Sequence, residues 1–153
     1  MGEGCSKQMA RVCSIPVVAH TLIAFQQAEH IHEIVVAAKK DELPLYESMA
    51  KIYGITKFST AVIGGKTRQE SVENAFAKIK DRAKFVAIAD GARCLITPDD
   101  IDRVCNAAYL YGAATAAQKG GGGGFFQLGI CCQPFSPQIF SFSLKIEGSG
   151  PYR

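Results

Sequence analysis

Residues able to bind an anion or a metal follow two apolar segments of the chain. Gly64 and Gly65 end one apolar run, and Asp90 and Arg93 follow a second at residues 85–89. Glycines let a backbone approach a ligand closely, and amides at the start of a helix attract anions. A carboxylate at a strand end can hold a magnesium ion or a ribose hydroxyl, and a guanidinium can contact a phosphate. The pattern predicts an anion site at the ends of the two strands.

Each of these residues also has a purely structural interpretation. A glycine pair is common in tight turns, and the dipeptide Asp-Gly is common there too. Arg93 can form a salt bridge with Asp90 instead of contacting a phosphate. Lys7 lies in an irregular N-terminal segment, where a lysine is usually solvated. From these residues alone, both interpretations stay open.

The elements that must position these residues are predicted from residue 61 to residue 104 as strand, helix, strand and helix. Two apolar strands joined through a helix of about four turns are most simply parallel neighbours with a right-handed crossover. Ligands of such sheets bind beyond the carboxyl ends of the strands. We therefore expect the glycine pair, Asp90 and Arg93 to gather at one edge of an α/β sheet.

Local signals mark the ends of the other elements. Proline suits the first turn of a helix and glycine its left-handed end, which places helices at residues 17–28 and 43–53. Thr67 and Glu70 have the spacing of a capping box, in which the Glu70 carboxylate reaches back to Thr67. A second threonine cap begins the helix that ends at Gly112. The remaining strands are predicted at residues 33–38, 57–63 and 113–117.

Composition limits the class of protein. The chain has 153 residues, 48% of them hydrophobic and 20% charged, which suits one globular domain. A formal net charge of +3 is too small to indicate nucleic acid or a membrane as the partner. Six cysteines without a C-x-x-C pair favour reduced thiols over zinc or disulfides, and the three histidines have no metal-site spacing. With no charged leader before an apolar core, we expect a cytoplasmic protein.

The character of the sequence changes at Gly120, where five consecutive glycines begin. Such a run is typical of a flexible linker. It is followed by a tail rich in Phe, Ser, Gly and Pro, with a strand predicted near residues 136–146. We therefore place a domain boundary after residue 118, with residues 119–153 forming a glycine-rich linker and an atypical tail.

Several segments together resemble a known family. They occur in order and with compatible spacing: Lys7-Gln8, residues 16–22, 33–36 and 64–72, and residues 90–101. As a set they resemble the 2-C-methyl-D-erythritol 4-phosphate cytidylyltransferase family over residues 1–118. The resemblance implies a Rossmann-like nucleotidyltransferase domain with a mainly parallel sheet. It also implies transfer of CMP from CTP to methylerythritol phosphate with Mg²⁺, release of pyrophosphate in non-mevalonate isoprenoid biosynthesis, and a homodimer.

The resemblance also implies roles for individual residues. Lys7 matches the catalytic lysine that stabilises charge on the attacked α-phosphate. The nucleotide-binding matches are Gly64, Gly65 and Ser71 for the cytosine base and the ribose, Asp90 for the metal and the substrate, and Arg93 beside it.

Parts of the family's pattern have no counterpart in this sequence. The first strand and most of the glycine loop with its arginine are missing, and the glycine run replaces the hairpin arm that supplies dimer contacts and binds the acceptor. Removing one cation from a phosphoryl-transfer site costs roughly 10³ to 10⁵ in rate, so we expect weakened activity. Loss of a central strand is also expected to expose apolar surface in the middle of the sheet.

Two other functions stay open at this point. One is a related cytidylyltransferase that acts on ribitol phosphate, which an intact acceptor arm would distinguish. The other is a non-catalytic fragment, which would show no stabilisation by CTP and magnesium.

Overall fold

The computed structural model describes residues 7–79, 83–116 and 128–132, and for Lys7 and residues 128–132 it describes the main chain. The chain forms an α/β fold. In chain order its elements are β1 (Arg11–Val12), β2 (Ile15–Pro16), α1 (Val17–Gln27), β3 (Ile34–Ala38), α2 (Leu43–Ile52), β4 (Phe58–Ile63), α3 (Arg68–Phe76), β5 (Phe85–Ala89), α4 (Pro98–Tyr111), β6 (Ala113–Ala116) and β7 (Leu128–Cys132), with 3-10 turns at Lys7–Met9 and Lys40–Glu42.

The helix and strand boundaries follow the local sequence signals. Helix α1 begins directly after Pro16 and buries an apolar face that includes Val18, Leu22 and Phe25, as its periodicity predicts. Helix α2 is followed by Gly54, which has the left-handed φ of 64°. Strands β3, β4, β5 and β6 lie within the predicted segments. These boundaries were set by neighbours in the sequence, which is why the sequence predicts them.

Strands β3 and β4 form a parallel pair. Their register joins Val35 to Thr60 and Ala38 to Ile63, after a shift between Ile34 and Val35. Because the last residues of the two strands are partners, both strands reach their carboxyl ends at the same level. The turn after β4 therefore begins beside the end of β3.

The prediction that β4 and β5 are adjacent parallel strands was wrong. In the described part of the chain, β4 pairs with β3, whereas β5 pairs with β7 in antiparallel register from Phe85–Cys132 to Ala89–Leu128. Strand β7 also pairs with β6 and so lies between β5 and β6. A helical connection limits the position of the strand that follows it. Which strands become neighbours is decided by hydrogen bonding between strand edges, which involves segments far apart in the chain.

Strand β7 comes from beyond the predicted domain boundary. No strand was predicted at residues 128–132, which follow the glycine run. The boundary after residue 118 stays a prediction. Strand β7 follows that boundary in the sequence but pairs with β5 and β6, which precede it. The predicted linker at residues 120–124 and the predicted strand at 136–146 lie outside the described residues.

Helix α3 is shorter than expected. Its nine residues make about two and a half turns instead of four. None of its residues is fully buried. Because packing of an apolar face supplies most of the stability of a protein helix, a weakly buried helix gains little from further turns.

One cluster of buried apolar side chains connects the elements. It is built mainly from α1, α2 and α4, and β3 contributes Ile34 and Ala38. Tyr46 of α2 and Ile101 of α4 are the largest side chains that are wholly buried. Among the described helices, none is long and apolar enough to cross a membrane.

Candidate functional site

The backbone amides of the turn after β4 donate hydrogen bonds to side chains at the start of α3. The Gly64 amide donates to the Ala38 carbonyl at 2.9 Å, which holds the turn against the end of β3. The Gly65 amide donates to Ser71 Oγ at 3.0 Å, and the Lys66 amide donates to Glu70 Oε2 at 2.7 Å. Two of the amides that the sequence offered for an anion therefore already have partners within the loop.

The same contacts explain the glycine pair. A Cβ at position 65 would overlap the Glu70 side chain, and a Cβ at position 64 would lie 3.1 Å from Ser71 Oγ. Thr67 caps α3 by accepting the Glu70 amide at 3.1 Å, as predicted. The Glu70 carboxylate reaches back to the Lys66 amide, one residue before the predicted Thr67. Close packing against this capping loop is thus a structural reason for glycine here.

The turn after β5 is built around Asp90. Its Oδ1 accepts the Ala92 amide at 3.0 Å, and its Oδ2 lies 3.9 Å from Arg93 Nε. The side chains of Asp90 and Arg93 are 39% and 41% exposed, so solvent reaches both charges. Thr21 of α1 donates to the Gly91 carbonyl at 3.0 Å and ties this turn to the helix. The arrangement leaves a partly exposed carboxylate in a fixed position at the strand end.

The 3-10 turn Lys7–Met9 lies against the Asp90 turn. A Cβ on Gly91 would lie 3.6–3.7 Å from the Gln8 side-chain amide, an ordinary van der Waals distance, and 3.3 Å from Val18 Cγ2, so the two turns lie side by side. Gln8 Oε1 accepts the hydroxyl of Tyr46 at 2.9 Å. Burial, and then the nearby Glu42 carboxylate, raise the pKa of Tyr46 to about 12, which keeps its hydroxyl protonated as a donor. A buried tyrosine from α2 thereby anchors the segment that carries Lys7.

The two turns and the N-terminal segment meet at one cavity of about 1070 Å³. Its lining includes Gln8, Ser71 and Asp90. Gly64 and Gly65 contact Ser71 but do not line the cavity themselves, and Arg93 contacts Asp90. Of the predicted site residues, the structure therefore brings Ser71 and Asp90 to the cavity. Arg93 is not part of the lining either, and the main chain of Lys7 lies next to Gln8 in sequence.

Three residues of this site were not predicted from the sequence. Arg68 of α3 was not among the predicted site residues, but it lines the cavity and brings a cation to it. Tyr46 and Thr21 also line the cavity, and they hold Gln8 and Gly91 by hydrogen bonds. They lie 38 and 70 residues from those partners in the chain, so local patterns carried no signal for either contact.

A complete protein-built metal site is not found among the residues that the structure describes. No group of three or more His, Cys, Asp or Glu side chains is close enough there to hold an ion. The thiols of Cys13, Cys94 and Cys105 are free. Among the described residues, Asp90 would thus hold a metal only together with ligands such as substrate phosphates and water.

The match to a family profile decides the classification. The profile of IspD, 2-C-methyl-D-erythritol 4-phosphate cytidylyltransferase, matches residues 1–119. The chain belongs to this cytidylyltransferase family. A relative of the same name from Prosthecochloris aestuarii is 37% identical over 125 residues, covering 76% of this chain and 51% of the relative. One from Chlorobium phaeovibrioides is 37% identical, covering 78% and 52%. The chain thus spans about half the length of these curated relatives.

Solved structures support the cytidylyltransferase fold. The 4-diphosphocytidyl-2C-methyl-D-erythritol synthase of Anaerococcus prevotii superposes with a TM-score of 0.73 at 17% identity, covering 80% of this chain and 62% of that one. A CMP:2-keto-3-deoxy-manno-octonic acid synthetase solved with CTP superposes with a TM-score of 0.57 at 16% identity, covering 71% and 44%. Both comparisons concern the fold alone.

Proposed function

We propose that the chain binds CTP at the carboxyl ends of its strands and transfers the cytidylyl group to 2-C-methyl-D-erythritol 4-phosphate. The observation that carries this proposal is the meeting of Gln8, Ser71 and Asp90 at one cavity. Membership of the cytidylyltransferase family supplies the reaction and the two substrates. The relatives named above carry the methylerythritol phosphate name, so ribitol phosphate is not favoured.

In the proposed reaction, a phosphate oxygen of methylerythritol phosphate attacks the α-phosphorus of CTP. The bond from that phosphorus to the bridging oxygen breaks, and pyrophosphate leaves with the electron pair. Such transfers depend on positioning and on neutralising charge that spreads over the phosphoryl oxygens. Lys7 is assigned to the α-phosphate, and Arg68 adds positive charge along the same cavity. Ser71, with Gly64 and Gly65 behind it, is assigned to the base and the ribose.

Asp90 is the residue assigned to Mg²⁺. One of its oxygens accepts the Ala92 amide and the other is 3.9 Å from Arg93, and the side chain is partly exposed. Mg²⁺ is usually held by one or two carboxylates together with substrate phosphates and water, so a single fixed carboxylate fits that chemistry. The ion would neutralise phosphate charge when bound with CTP. Arg93 keeps Asp90 in place and is assigned to the nucleotide.

Ligand-induced stabilisation tests CTP binding. A ligand of the folded state raises the melting temperature, and at a hundred times its dissociation constant it adds about 2.7 kcal/mol of stability. We expect millimolar CTP with Mg²⁺ to raise the melting temperature of the full chain by a few degrees. Asp90→Asn keeps an oxygen for the Ala92 amide but removes the charge, and should lose most of the shift. Asp41→Asn, on an exposed turn, should keep it.

Product formation tests the transfer itself. Incubation with CTP, Mg²⁺ and methylerythritol phosphate should release pyrophosphate, and Lys7→Ala should lower the rate by roughly 10³-fold or more. Lys51→Ala, an exposed lysine of α2, is the matched control and should leave the rate unchanged. Absence of both the CTP shift and pyrophosphate release would instead establish a non-catalytic fragment.

We also propose that the protein is a homodimer in the cytoplasm, because the chain belongs to the cytidylyltransferase family. The quaternary state is measured by sedimentation equilibrium of the full chain. A monomer that still transfers CMP would remove the dimer from the proposal without affecting the site.

A further inference from the structure

The two ends of the Gln8 side-chain amide have different surroundings. Its Oε1 accepts the hydroxyl of Tyr46 at 2.9 Å. Its Nε2 carries two donors and has no acceptor among the residues that the structure describes. Gln8 is half-buried and lines the cavity, so a ligand can reach this nitrogen. One end of the amide is therefore held by the protein, and the other end is available.

Tyr46 determines which end of the amide is held. Its side chain is wholly buried, and a buried hydroxyl proton needs an acceptor. The raised pKa of about 12 keeps the phenol protonated, so it donates to Gln8 Oε1. If the amide were turned over, its NH₂ group would face the phenol and the hydroxyl proton would lose that acceptor. The hydroxyl therefore selects one of the two amide orientations.

The available nitrogen lies beside the Asp90 turn. A Cβ built on Gly91 would be 3.7 Å from Gln8 Nε2. The turn is fixed on both sides, because Asp90 Oδ1 accepts the Ala92 amide at 3.0 Å and the Gly91 carbonyl accepts the Thr21 hydroxyl at 3.0 Å. A donor held next to the carboxylate that is assigned to Mg²⁺ suits an oxygen of a metal-bound phosphate.

We propose that Gln8 is a nucleotide-binding residue whose Nε2 donates to a non-bridging phosphate oxygen of CTP, and that Tyr46 is a positioning residue that orients this donor. The inference rests on the proposed function, because it assigns a further contact in the same site. A hydrogen bond to a charged phosphate oxygen is stronger than one between neutral groups. Orienting the donor in advance raises the fraction of molecules that are ready to bind.

Three variants form a double-mutant cycle that tests the proposal. Gln8→Met keeps the length of the side chain but removes its donors, Tyr46→Phe keeps the buried ring but removes its hydroxyl, and the third variant combines both. Gln8→Met leaves a buried hydroxyl without its acceptor and should lower the melting temperature. The combined variant removes both polar partners and should fold nearly as stably as the parent, so it separates loss of binding from loss of structure.

Isothermal titration calorimetry of the full chain with CTP and Mg²⁺, well below the melting temperature, measures the dissociation constant. Gln8→Met should weaken binding roughly tenfold or more, because a hydrogen bond to a charged group is lost. Tyr46→Phe should weaken it roughly three- to fivefold, since the released amide turns over and only the competent fraction binds. The combined variant should bind as weakly as Gln8→Met alone, because the Tyr46 hydroxyl acts through Gln8.

Tripolyphosphate with Mg²⁺, which has neither base nor ribose, tests the assignment to phosphate. Gln8→Met should weaken its binding by the same factor as it weakens the binding of CTP. Two matched substitutions are the controls: Tyr53→Phe at the end of α2, and Gln27→Met at the exposed last position of α1. Both controls should leave the two dissociation constants unchanged.

Equal affinity of Gln8→Met and the parent for CTP would overturn the assignment of Gln8. Single effects that multiply in the combined variant would overturn the role of Tyr46. A tripolyphosphate affinity that does not fall together with the CTP affinity would place the amide at the nucleoside, and would also overturn the proposal. A parent chain that binds neither ligand would instead refute CTP binding itself, so the two failures give different results.

Discussion

At the level of single residues, the glycine pair shows how one motif serves two roles. Gly65 and Lys66 donate their amides to Ser71 and Glu70, so the loop is stabilised from within. Ser71 also lines the cavity. In the proposed function, the glycines would therefore act on a ligand indirectly, by placing Ser71, because the amides of Gly65 and Lys66 already have acceptors within the loop.

Replacing Gly65 by Ala should destabilise the fold by about 1–3 kcal/mol, because the new Cβ overlaps the Glu70 side chain. Gly64→Ala is the matched control, since its tightest contact is with the Ser71 hydroxyl at 3.1 Å, and the Ala38 carbonyl and Ser71 Cβ lie at the ordinary distances of 3.6 and 3.8 Å. Chemical denaturation measures both. A smaller loss at position 65 than at position 64 would contradict the steric explanation.

Asp102 is a second residue whose importance appears only in the structure. Its carboxylate accepts the amides of Glu29 at 2.9 Å and His30 at 3.0 Å, joining α4 to the end of α1. Burial acts to raise the pKa of Asp102, but the hydrogen bonds from His30 and Glu29 outweigh it, and the net pKa lies below the ordinary 3.8. The charged form is therefore favoured by folding.

Asp102→Asn should cost about 1 kcal/mol near neutral pH, because one of the two acceptor oxygens is lost and the remaining hydrogen bond is no longer assisted by a charge. A depressed folded-state pKa contributes stability above the unfolded-state value of 3.8 and loses it as pH falls through the lower folded-state value. The difference in unfolding free energy between the parent and the variant should thus shrink below about pH 4. Denaturation from pH 3 to pH 7 measures it, and a constant difference would contradict the role of the charge.

At the level of elements, α4 is the helix whose ends were predicted most fully. Thr97 accepts the Asp100 amide at 3.2 Å, and Gly112 closes the helix with a φ of 83°. Both signals involve residues within four positions of the helix end, so neither depends on a tertiary contact. Helix α3 has an equally clear cap but little buried surface, and it ends early. Caps set where a helix begins, and burial decides how far it continues.

Thr97→Ala should destabilise the fold by about 1 kcal/mol, because the Asp100 amide loses its acceptor at the start of α4. Ser48→Ala is the control: its exposed hydroxyl donates only to the Pro44 carbonyl within α2, and alanine favours a helix. Urea denaturation measures both variants. Equal losses would show that the cap contributes nothing specific.

At the level of the whole molecule, two pieces of sheet, the parallel pair β3-β4 and the sheet β5-β7-β6, are connected through helices. The buried cluster includes Ile34 of β3 and residues of α1 and α4, while β5 packs Phe85 against it. Tyr109 of α4 contacts Phe85 edge-on, with ring centroids 4.8 Å apart. A shared core can transmit a loss of packing to both pieces, although β3 and β5 share no hydrogen bonds in the described part of the chain.

Ile101→Val should lower stability by about 0.5–1.5 kcal/mol, since it removes one methylene from a wholly buried side chain. Native-state hydrogen exchange should show faster opening of both β3 and β5, because the side chain belongs to their common core. Leu110→Ala, at a position 77% exposed, should change neither. Faster exchange confined to β5 would show that the two pieces open independently.

The sequence by itself determined most of the elements, their caps and the family, because periodicity, caps and motifs are properties of residues close together in the chain, but it did not predict β7 or the short length of α3. It also placed Asp90 and the glycine pair at strand ends. Only the tertiary structure decided that β4 and β5 are not neighbours, that β7 lies between β5 and β6, and that Tyr46 holds Gln8 over the Asp90 turn. These features depend on which strand edges and side chains meet across tens of residues, and hydrogen bonding between distant segments leaves no periodic signal in the sequence.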